Sequence, residues 1–238
     1  MREICLVRHG ESEANVAASR AEAAGDETIA VPARDPDVQL SALGRGQARA
    51  LGRRFGAWAG DGSAFWTSPY ARARQTLQLA AEAGGVAPAA VRDDRLRDRE
   101  LGVLDALTSR GVEARLPAEA ARRRWLGKYY YRPPGGESWA DVGARLRDLL
   151  RDVVATEERV VAVTHDAVVI LLTAQLLGFD EAQLLEFART HNVGNASVTR
   201  LENGPDGWRL AEFADTRHLD AEGVAVTEHP GDRDARIH

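Results

Sequence analysis

The chain is organised around one stretch near its start, Leu6-Val7-Arg8-His9-Gly10-Glu11-Ser12-Glu13-Ala14-Asn15. The apolar run at residues 4–7 predicts a buried β-strand, because it consists of strand-forming residues. The glycine that follows permits a sharp turn, and a helical pattern begins directly after it. Arg8 and His9 are therefore expected at the carboxyl end of a strand and opposite a helix amino terminus. Open α/β sheets bind ligands, and anions in particular, at such positions.

The same arrangement recurs late in the chain. Residues 160–164 form a continuous apolar run, which is typical of a central parallel strand that is covered on both faces. His165 follows this run, and a helix is predicted from residue 167 to 177, ended by Gly178. Two histidines at strand ends, about 155 positions apart, are far more informative than one.

A third strand end carries an arginine. Residues 64–67 predict a short strand, after which Ser68 is expected to cap a helix and Pro69 to occupy its first position. Arg72 then lies in or near the first helical turn, close to the positive end of the helix dipole. A guanidinium in this position can bind two oxygens of a phosphate at once.

Composition narrows the class of protein. A length of 238 residues fits a single α/β domain, and the net charge of −5 does not favour nucleic acid as a partner. Cys5 is the only cysteine, so neither an internal disulfide nor a cysteine metal cluster is expected. We see neither a secretory signal nor an apolar run near the ~18 residues that cross a membrane, which predicts a cytoplasmic protein. Lys128 is the only lysine, and the arginine excess indicates a GC-rich, bacterial genome.

Three motifs together resemble one family. Arg-His-Gly-x-x-x-x-Asn at residues 8–15, Ser-x-x-x-Arg-Ala-x-Gln-Thr at 68–76 and Val-Thr-His at 163–165 are similar to motifs of the histidine phosphatase superfamily, also called phosphoglycerate mutase-like. The Leu-Ser-x-x-Gly-x-x-Gln-Ala pattern at 40–48 also fits. The resemblance implies a three-layer α/β/α sandwich with a mostly parallel central sheet. It also implies catalysis without a metal or other cofactor, through a histidine that is phosphorylated during turnover.

The resemblance also implies roles for individual residues. His9 becomes the phosphorylated nucleophile, and His165 adds a hydrogen-bond donor to the phosphate oxygens. Arg8 and Arg72 hold the phosphate by charge, and Asn15 borders its pocket. This residue set suits the chemistry, because a phosphomonoester carries nearly two negative charges and a histidine can be neutral at physiological pH.

Two departures from the family pattern leave questions open. The family has Leu-x-Glu-x-x-x-Gly where this chain has residues 96–102, so that Asp98 replaces the glutamate whose carboxylate gives or takes a proton. Glu100 lies two residues further on, and we favour Asp98 over it as the general acid and base. Asp166 and Ala167 replace the small residues that commonly follow the second histidine, which puts a backbone anion site there in doubt.

The domain organisation is predicted as follows. Residues 1–219 form a single domain that ends in a hairpin, and residues 220–238 form a polar tail that we expect to pack poorly. An insertion at about 105–138 is either a lid over the active site or an irregular loop whose aromatic residues pack on the domain. In the first case the tyrosines at 129–131, with Lys128 and Arg132, would suit an anionic or polyhydroxyl substrate.

The sequence therefore predicts a phosphatase that hydrolyses a small phosphorylated metabolite. The alternative is a phosphoglycerate mutase, although the aromatic, Gly-Trp-ending stretch of such mutases is missing after Asn15. A metal-dependent phosphohydrolase that uses the His165-Asp166 pair and a non-catalytic binding protein are weaker alternatives. We expect neither nucleic acid nor membrane as a partner, and the oligomeric state is left open, with a homodimer as one option.

Overall fold

The computed structural model describes residues 1–31 and 33–229, and a single six-stranded sheet forms its centre. The strands are β1 (Glu3–Arg8), β2 (Ala64–Thr67), β3 (Ala90–Arg92), β4 (Arg159–Thr164), β5 (Val198–Gly204) and β6 (Gly207–Asp215). They lie in the order β3-β2-β4-β1-β5-β6. The first four are mutually parallel, and β5 and β6 form an antiparallel hairpin at one edge. The prediction of a mostly parallel sheet is confirmed.

Helices cover both faces of this sheet. They are α1 (Glu13–Ala24), α2 (Ala42–Ala50), α3 (Gly52–Gly60), α4 (Ala71–Ala83), α5 (Ser109–Arg115), α6 (Pro117–Tyr130), α7 (Trp139–Thr156), α8 (Asp166–Leu177), α9 (Glu181–Thr190) and α10 (Arg217–Ala221). In the part of the chain that the structure describes, no helix is both long enough and apolar enough to cross a bilayer.

Alternate side chains of β1 enter two separate cores. Ile4 and Leu6 pack with α7, α8 and α9, whereas Cys5 and Val7 pack with α3, α4 and α10. This alternation is the two-residue period of a strand. Both faces are buried, which explains why the strand is apolar throughout instead of alternating with polar residues. The three-layer α/β/α sandwich is therefore confirmed.

The register of the sheet brings three strand ends together. Arg8 of β1 pairs with Thr164 of β4, and Thr67 of β2 pairs with Val163 of β4. The backbone N–H of His9 then donates to the carbonyl of Thr164, at 2.9 Å. The chain segments that follow β1, β2 and β4 consequently lie side by side at one edge of the sheet.

A close backbone contact positions the turn after β1. A Cβ atom on Gly10 would lie 2.5 Å from the carbonyl oxygen of Gly44 in α2, and one on Gly44 would lie 1.9 Å from the carbonyl oxygen of Glu11. Side chains cannot be accommodated at these distances, so both positions require glycine. The motif at residues 40–48 thus supports the turn after His9, and the hydroxyl of Ser41 caps its helix by accepting from the N–H of Gly44.

Two helix boundaries differ from the prediction. Helix α4 begins at Ala71 with Tyr70 as its N-cap, two residues later than the Ser68-Pro69 pair indicated. The hydroxyl of Ser68 instead accepts a hydrogen bond from the N–H of Tyr70 and contacts a histidine ring. Arg72 nevertheless lies in the first turn of α4, as expected. The region after Ser41 forms two helices, because the chain tightens at Leu51, whose N–H bonds to a carbonyl three residues earlier.

The insertion folds as a small helical unit. Helices α5 and α6 pack around a core of their own, formed by Leu104, Val112, Ala120 and Tyr131. Helix α6 is interrupted at Gly127, where φ is +73°. The tyrosine segment at its end therefore points along a new direction.

The described part of the predicted tail is mostly exposed, and it is nevertheless attached to the domain by hydrogen bonds. After α10, residues 222–229 run along the domain and bond to it at several points, including Gln47 and Asn195. These side chains satisfy backbone groups of the segment, which composition alone could not indicate. The rest of the predicted tail, residues 230–238, lies outside the described residues.

Candidate active site

A cavity of about 650 Å³ opens at the carboxyl ends of β1, β2 and β4. Arg8, His9, Asn15, Arg72 and Asp98 all line it. These are five of the seven residues that the sequence singled out. The fold therefore brings them to a single wall, from positions up to 90 residues apart in the chain.

The imidazole of His9 is oriented by its own backbone neighbour. Its Nδ1 lies 2.7 Å from the carbonyl oxygen of Gly10, a partner that can only accept, so Nδ1 carries the proton. The other ring nitrogen, Nε2, then keeps its lone pair. Burial and then the charges of Arg72, His165 and Arg8 lower the pKa of His9 well below its usual value. The ring is therefore neutral near pH 7.

Arg8 presents a buried cation beside this ring. Its Nη1 donates to the carbonyl of Val193 at 2.5 Å, and its Nη2 donates to the carbonyl of His229 at 2.8 Å. Its Nε is buried and has no hydrogen-bond partner within the described residues. An unpaired buried donor is costly, which makes Nε a ready donor for an anion in the cavity.

Arg72 is held between two carboxylates. Its guanidinium donates to Asp35 at 2.9 Å and to Asp98 at 3.0 Å, and only 4% of its side chain is exposed. It also donates to the backbone carbonyl of Asp35 at 2.7 Å. Burial, followed by the charge of Asp98, raises the pKa of Asp35, although Arg72 opposes this. A phosphate that binds Arg72 must compete with the carboxylate of Asp35.

His165 is completely buried behind the cavity wall. Its ring centroid lies 5.1 Å from that of His9, with the two rings edge to face. Its Nδ1 lies 3.2 Å from Asp98, and its Nε2 lies 2.8 Å from the hydroxyl of Ser68. Both ring nitrogens thus face protein groups. Burial lowers the pKa of His165, although the carboxylate of Asp98 opposes this, so the ring is neutral.

The structure separates the two candidate carboxylates. Asp98 lines the cavity with 24% of its side chain exposed and contacts both Arg72 and His165. Glu100 is 44% exposed and lies outside the cavity wall, where it accepts a hydrogen bond from the hydroxyl of Tyr70 at 2.5 Å. Burial raises the pKa of Asp98, but His165 and Arg72 outweigh it and hold the pKa well below its usual value. The geometry therefore favours Asp98.

Asn15 combines a structural contact with a place in the cavity. Its side-chain oxygen accepts hydrogen bonds from the N–H and the hydroxyl of Ser12, which closes a capping box at the start of α1. Because this oxygen is committed, the amide group can offer its N–H donors to the cavity.

The insertion contributes to the cavity through residues other than those expected. Leu107, Val112 and Arg123 line it. Lys128 instead lies over the ring of Trp139, 4.3 Å from its centroid. Arg132 pairs with Asp141, and Tyr130 and Tyr131 donate to Glu181 and Glu119. Residues 128–132 contact other parts of the domain and do not line this cavity, and whether the insertion acts as a lid stays a prediction.

Three residues of the site escaped the sequence analysis. Asp35 begins a short 3-10 helix after α1, Glu11 occupies a variable position of the histidine motif, and His229 belongs to the predicted tail. Each is a charged or polar residue in an ordinary polar segment, so no pattern distinguishes it. Across residues 1–31 and 33–229, no three His, Cys, Asp or Glu side chains are grouped so as to hold a metal ion.

Comparison with known families assigns the class. The sequence model of the histidine phosphatase superfamily (branch 1) matches residues 4–216. The chain therefore belongs to this superfamily, whose enzymes work through a phosphohistidine intermediate. It is a metal-independent phosphatase that acts on phosphomonoesters.

Individual relatives are similar over most of their length. A glucosyl-3-phosphoglycerate phosphatase of Mycobacterium tuberculosis is 32% identical over 231 residues, which cover 88% of this chain and 92% of the relative. A probable phosphoglycerate mutase of Serratia proteamaculans is 30% identical, covering 92% and 96%. A solved structure of the mycobacterial glucosyl-3-phosphoglycerate phosphatase with VO3 is 30% identical, covers 90% of this chain and 99% of its own, and gives a TM-score of 0.69.

Proposed function

We propose that this protein hydrolyses a small phosphomonoester by transferring its phosphoryl group to Nε2 of His9. The orientation of the His9 ring carries the proposal. The hydrogen bond from Nδ1 to Gly10 leaves the lone pair on Nε2, and the low pKa keeps that nitrogen unprotonated near pH 7. A neutral imidazole is a nucleophile, whereas an imidazolium is not.

Two arginines neutralise the phosphate in this scheme. Nε of Arg8 and the guanidinium of Arg72, once released from Asp35, bind its oxygens, and the amide of Asn15 adds a further donor. Both guanidiniums stay charged throughout the reaction. Phosphoryl transfer depends mainly on positioning and on compensation of charge, which a preorganised buried site provides.

Asp98 serves as the general acid and base. In the first step Nε2 bonds to phosphorus, the ester P–O bond breaks, and Asp98 protonates the leaving oxygen. In the second step its carboxylate accepts a proton from water, which attacks phosphorus and releases inorganic phosphate from His9. The low pKa in the empty site does not prevent the first step, because the charge of a bound phosphate opposes that of Arg72 and raises the pKa of Asp98.

His165 acts through its neighbours in this arrangement. Its Nδ1 fixes Asp98, and its ring supports the edge of His9. Donation from His165 to the phosphate oxygens, which the family resemblance implied, stays a prediction. Glu100 is expected to contribute little, since it is exposed and bonded to Tyr70.

We propose a phosphorylated sugar or glycerate derivative as the substrate. Relatives that are about 30% identical act, by name, on glucosyl-3-phosphoglycerate or phosphoglycerate. The cavity volume falls in the range of small-molecule sites, and Leu107 and Val112 give it an apolar side beyond the phosphate-binding wall. We propose the cytoplasm as the compartment of the reaction. Association as a homodimer stays a prediction, which analytical ultracentrifugation would check.

The test combines turnover with trapping of the intermediate. Purified protein is incubated with glucosyl-3-phosphoglycerate and with 3-phosphoglycerate, and release of inorganic phosphate is measured. Rapid quenching in alkali with a ³²P-labelled substrate should leave label on the peptide that contains His9. Turnover with the label on another residue, or none, would contradict the proposed nucleophile.

A phosphoglycerate mutase is the second candidate, because the relatives include proteins named as mutases. The experiment with 3-phosphoglycerate separates the two activities. Isomer that accumulates without free phosphate would assign a mutase, whereas free phosphate without isomer assigns a phosphatase.

A further inference from the structure

The C-terminal segment Val224–His229, here called the strap, is bonded to the rim of the active site. The side chain of Gln47 donates to the carbonyl of Ala225 at 3.0 Å and to the hydroxyl of Thr227 at 2.9 Å. Asn195 adds two contacts, since its N–H donates to the carbonyl of Thr227 and its side-chain oxygen accepts from the hydroxyl of Thr227. The strap is therefore held up to Thr227 by the domain core.

The ring of His229 provides the last anchor of the strap. Its Nε2 lies 2.9 Å from the carboxylate of Glu11, and its Nδ1 lies 2.6 Å from the hydroxyl of Ser19. A carboxylate only accepts, so Nε2–H is the donor and Nδ1 accepts from Ser19. Glu11 is buried and also accepts from the hydroxyl of Ser41 at 2.6 Å. The imidazole thus connects the strap to Glu11 of the histidine motif and to Ser19 of α1, and it lines the cavity.

The backbone of His229 reaches the phosphate-binding wall. Its carbonyl oxygen accepts from Nη2 of Arg8, while the carbonyl of Val193 accepts from Nη1. Each terminal nitrogen of Arg8 thereby donates one of its two N–H groups to a carbonyl, and the N–H of Nε has no partner within the described residues. The direction of the Nε–H bond of Arg8 therefore depends on the position of the His229 carbonyl.

We propose that His229 is a positioning residue of this active site, and that it aims Arg8 at the phosphate. The ring sets the place of the carbonyl by holding the strap on Glu11 and Ser19, and the carbonyl sets the rotamer of Arg8. The expected change in KM rests on the proposed function. The expected change in anion binding does not, because it can be measured without turnover. Because Arg8 contacts the phosphate in ground state and transition state alike, loss of its orientation should raise KM more than it lowers kcat.

Two truncations and two substitutions test the proposal. A chain that ends at His229 with an amidated C-terminus keeps the strap and the carbonyl that accepts from Arg8, whereas a chain that ends at Thr227 removes only two further residues, including His229. His229→Ala removes the ring, and His229→Gln keeps a donor for Glu11 and an acceptor for Ser19. For each variant, the dissociation constant of orthovanadate is measured by calorimetry, and KM and kcat are measured with 3-phosphoglycerate or glucosyl-3-phosphoglycerate.

We expect the chain that ends at Thr227 and the His229→Ala variant to bind vanadate about five- to tenfold more weakly, the size of one ordinary hydrogen bond. KM should rise by a similar factor, while kcat should change by no more than about twofold. The chain that ends at His229 and the His229→Gln variant should match the full-length protein. If the shorter truncated chain does not fold, the two substitutions still decide.

Several results would overturn the proposal. Unchanged vanadate binding in His229→Ala would remove the role of the ring, and equal weakening in the chain that ends at His229 would assign the effect to residues 230–238. A fall in kcat with KM unchanged would also contradict it. A full-length protein that neither binds vanadate nor releases phosphate would contradict the proposed function itself. Normal activity in every variant would contradict only the positioning role of His229.

Discussion

The segments that follow β1 and β4 look alike in sequence but differ in what surrounds their histidines. Each is a buried parallel strand, a histidine at its end, and a helix start, and the two strands are direct neighbours in the sheet. Nδ1 of His9 forms a hydrogen bond with the carbonyl of Gly10, which leaves Nε2 available to the cavity that His9 lines. His165 has a protein group at each nitrogen and lies fully behind the wall.

This difference assigns separate roles to two similar motifs. A nucleophile requires a free lone pair that faces the substrate, and only the first histidine has one. The second has a hydrogen bond to Ser68 at Nε2 and lies 3.2 Å from Asp98 at Nδ1, which suits a group that orients others. The partner atoms, and not the position at a strand end, therefore decide which histidine takes the phosphoryl group.

The largest expected effect follows from removing the free ring. His9→Asn should reduce kcat by about 10⁴-fold or more and abolish the phosphoenzyme, because no other group accepts the phosphoryl in this scheme. Steady-state turnover and alkaline trapping of ³²P measure both quantities. His165→Asn is the matched control, and it should still form labelled protein. Label that survives in the His9 variant, or that disappears only in the His165 variant, would reverse the roles.

The next effect tests whether the second histidine acts through Asp98. Asp98→Asn should lower kcat by about 10³-fold, within the range for loss of a general acid. His165→Ala should cost about 10²-fold, and the double variant should be no slower than Asp98→Asn alone, because coupled residues are not additive. Glu100→Gln serves as the control and should stay within about threefold of the parent protein. Fully additive losses would indicate that His165 contacts the phosphate directly.

A smaller effect, of opposite sign, is expected at Asp35. Its carboxylate occupies Arg72 in the empty site, and a bound phosphate must displace it against like-charge repulsion. Asp35→Asn should therefore tighten the binding of inorganic phosphate by about threefold, as measured by calorimetry. Asp105→Asn is the control, since Asp105 lines the same cavity but does not pair with Arg72. Weaker phosphate binding in Asp35→Asn would show that this carboxylate helps to hold Arg72 in place.

The smallest effect concerns pH. Because the pKa of His9 is lowered, protonation of Nε2 begins only well below pH 6.5, so kcat/KM should not fall between pH 7.5 and 6.5 on account of this ring. Arg72→Gln removes a charge that lowers this pKa, so the pKa should rise and the acid limb should move to higher pH. A profile of kcat/KM, corrected for ionisation of the substrate phosphate, measures the shift. An unmoved acid limb in the Arg72 variant would show that the limb does not report His9.

Much of the fold could be predicted because its elements are encoded locally. The apolar runs before His9 and His165 specify central strands, and Gly178 ends α8 in the left-handed conformation as expected. The start of α7 is also encoded locally, by a capping box of Ser138 and Asp141. The Ser68-Pro69 pair gave a wrong start for α4. The hydroxyl of Ser68 contacts the ring of His165 and does not cap the first turn of that helix.

The sequence by itself determined that this chain is an α/β protein with two histidines and an arginine at strand ends, since strand period, turn residues and motif spacing are local properties. Only the tertiary structure decided which carboxylate faces the cavity, that Asp35 competes for Arg72, and that His229 reaches Arg8. The reason is physical. Hydrogen bonds between residues far apart in the chain depend on how the strap and the loops pack against the edge of the sheet. Local sequence patterns do not predict that packing.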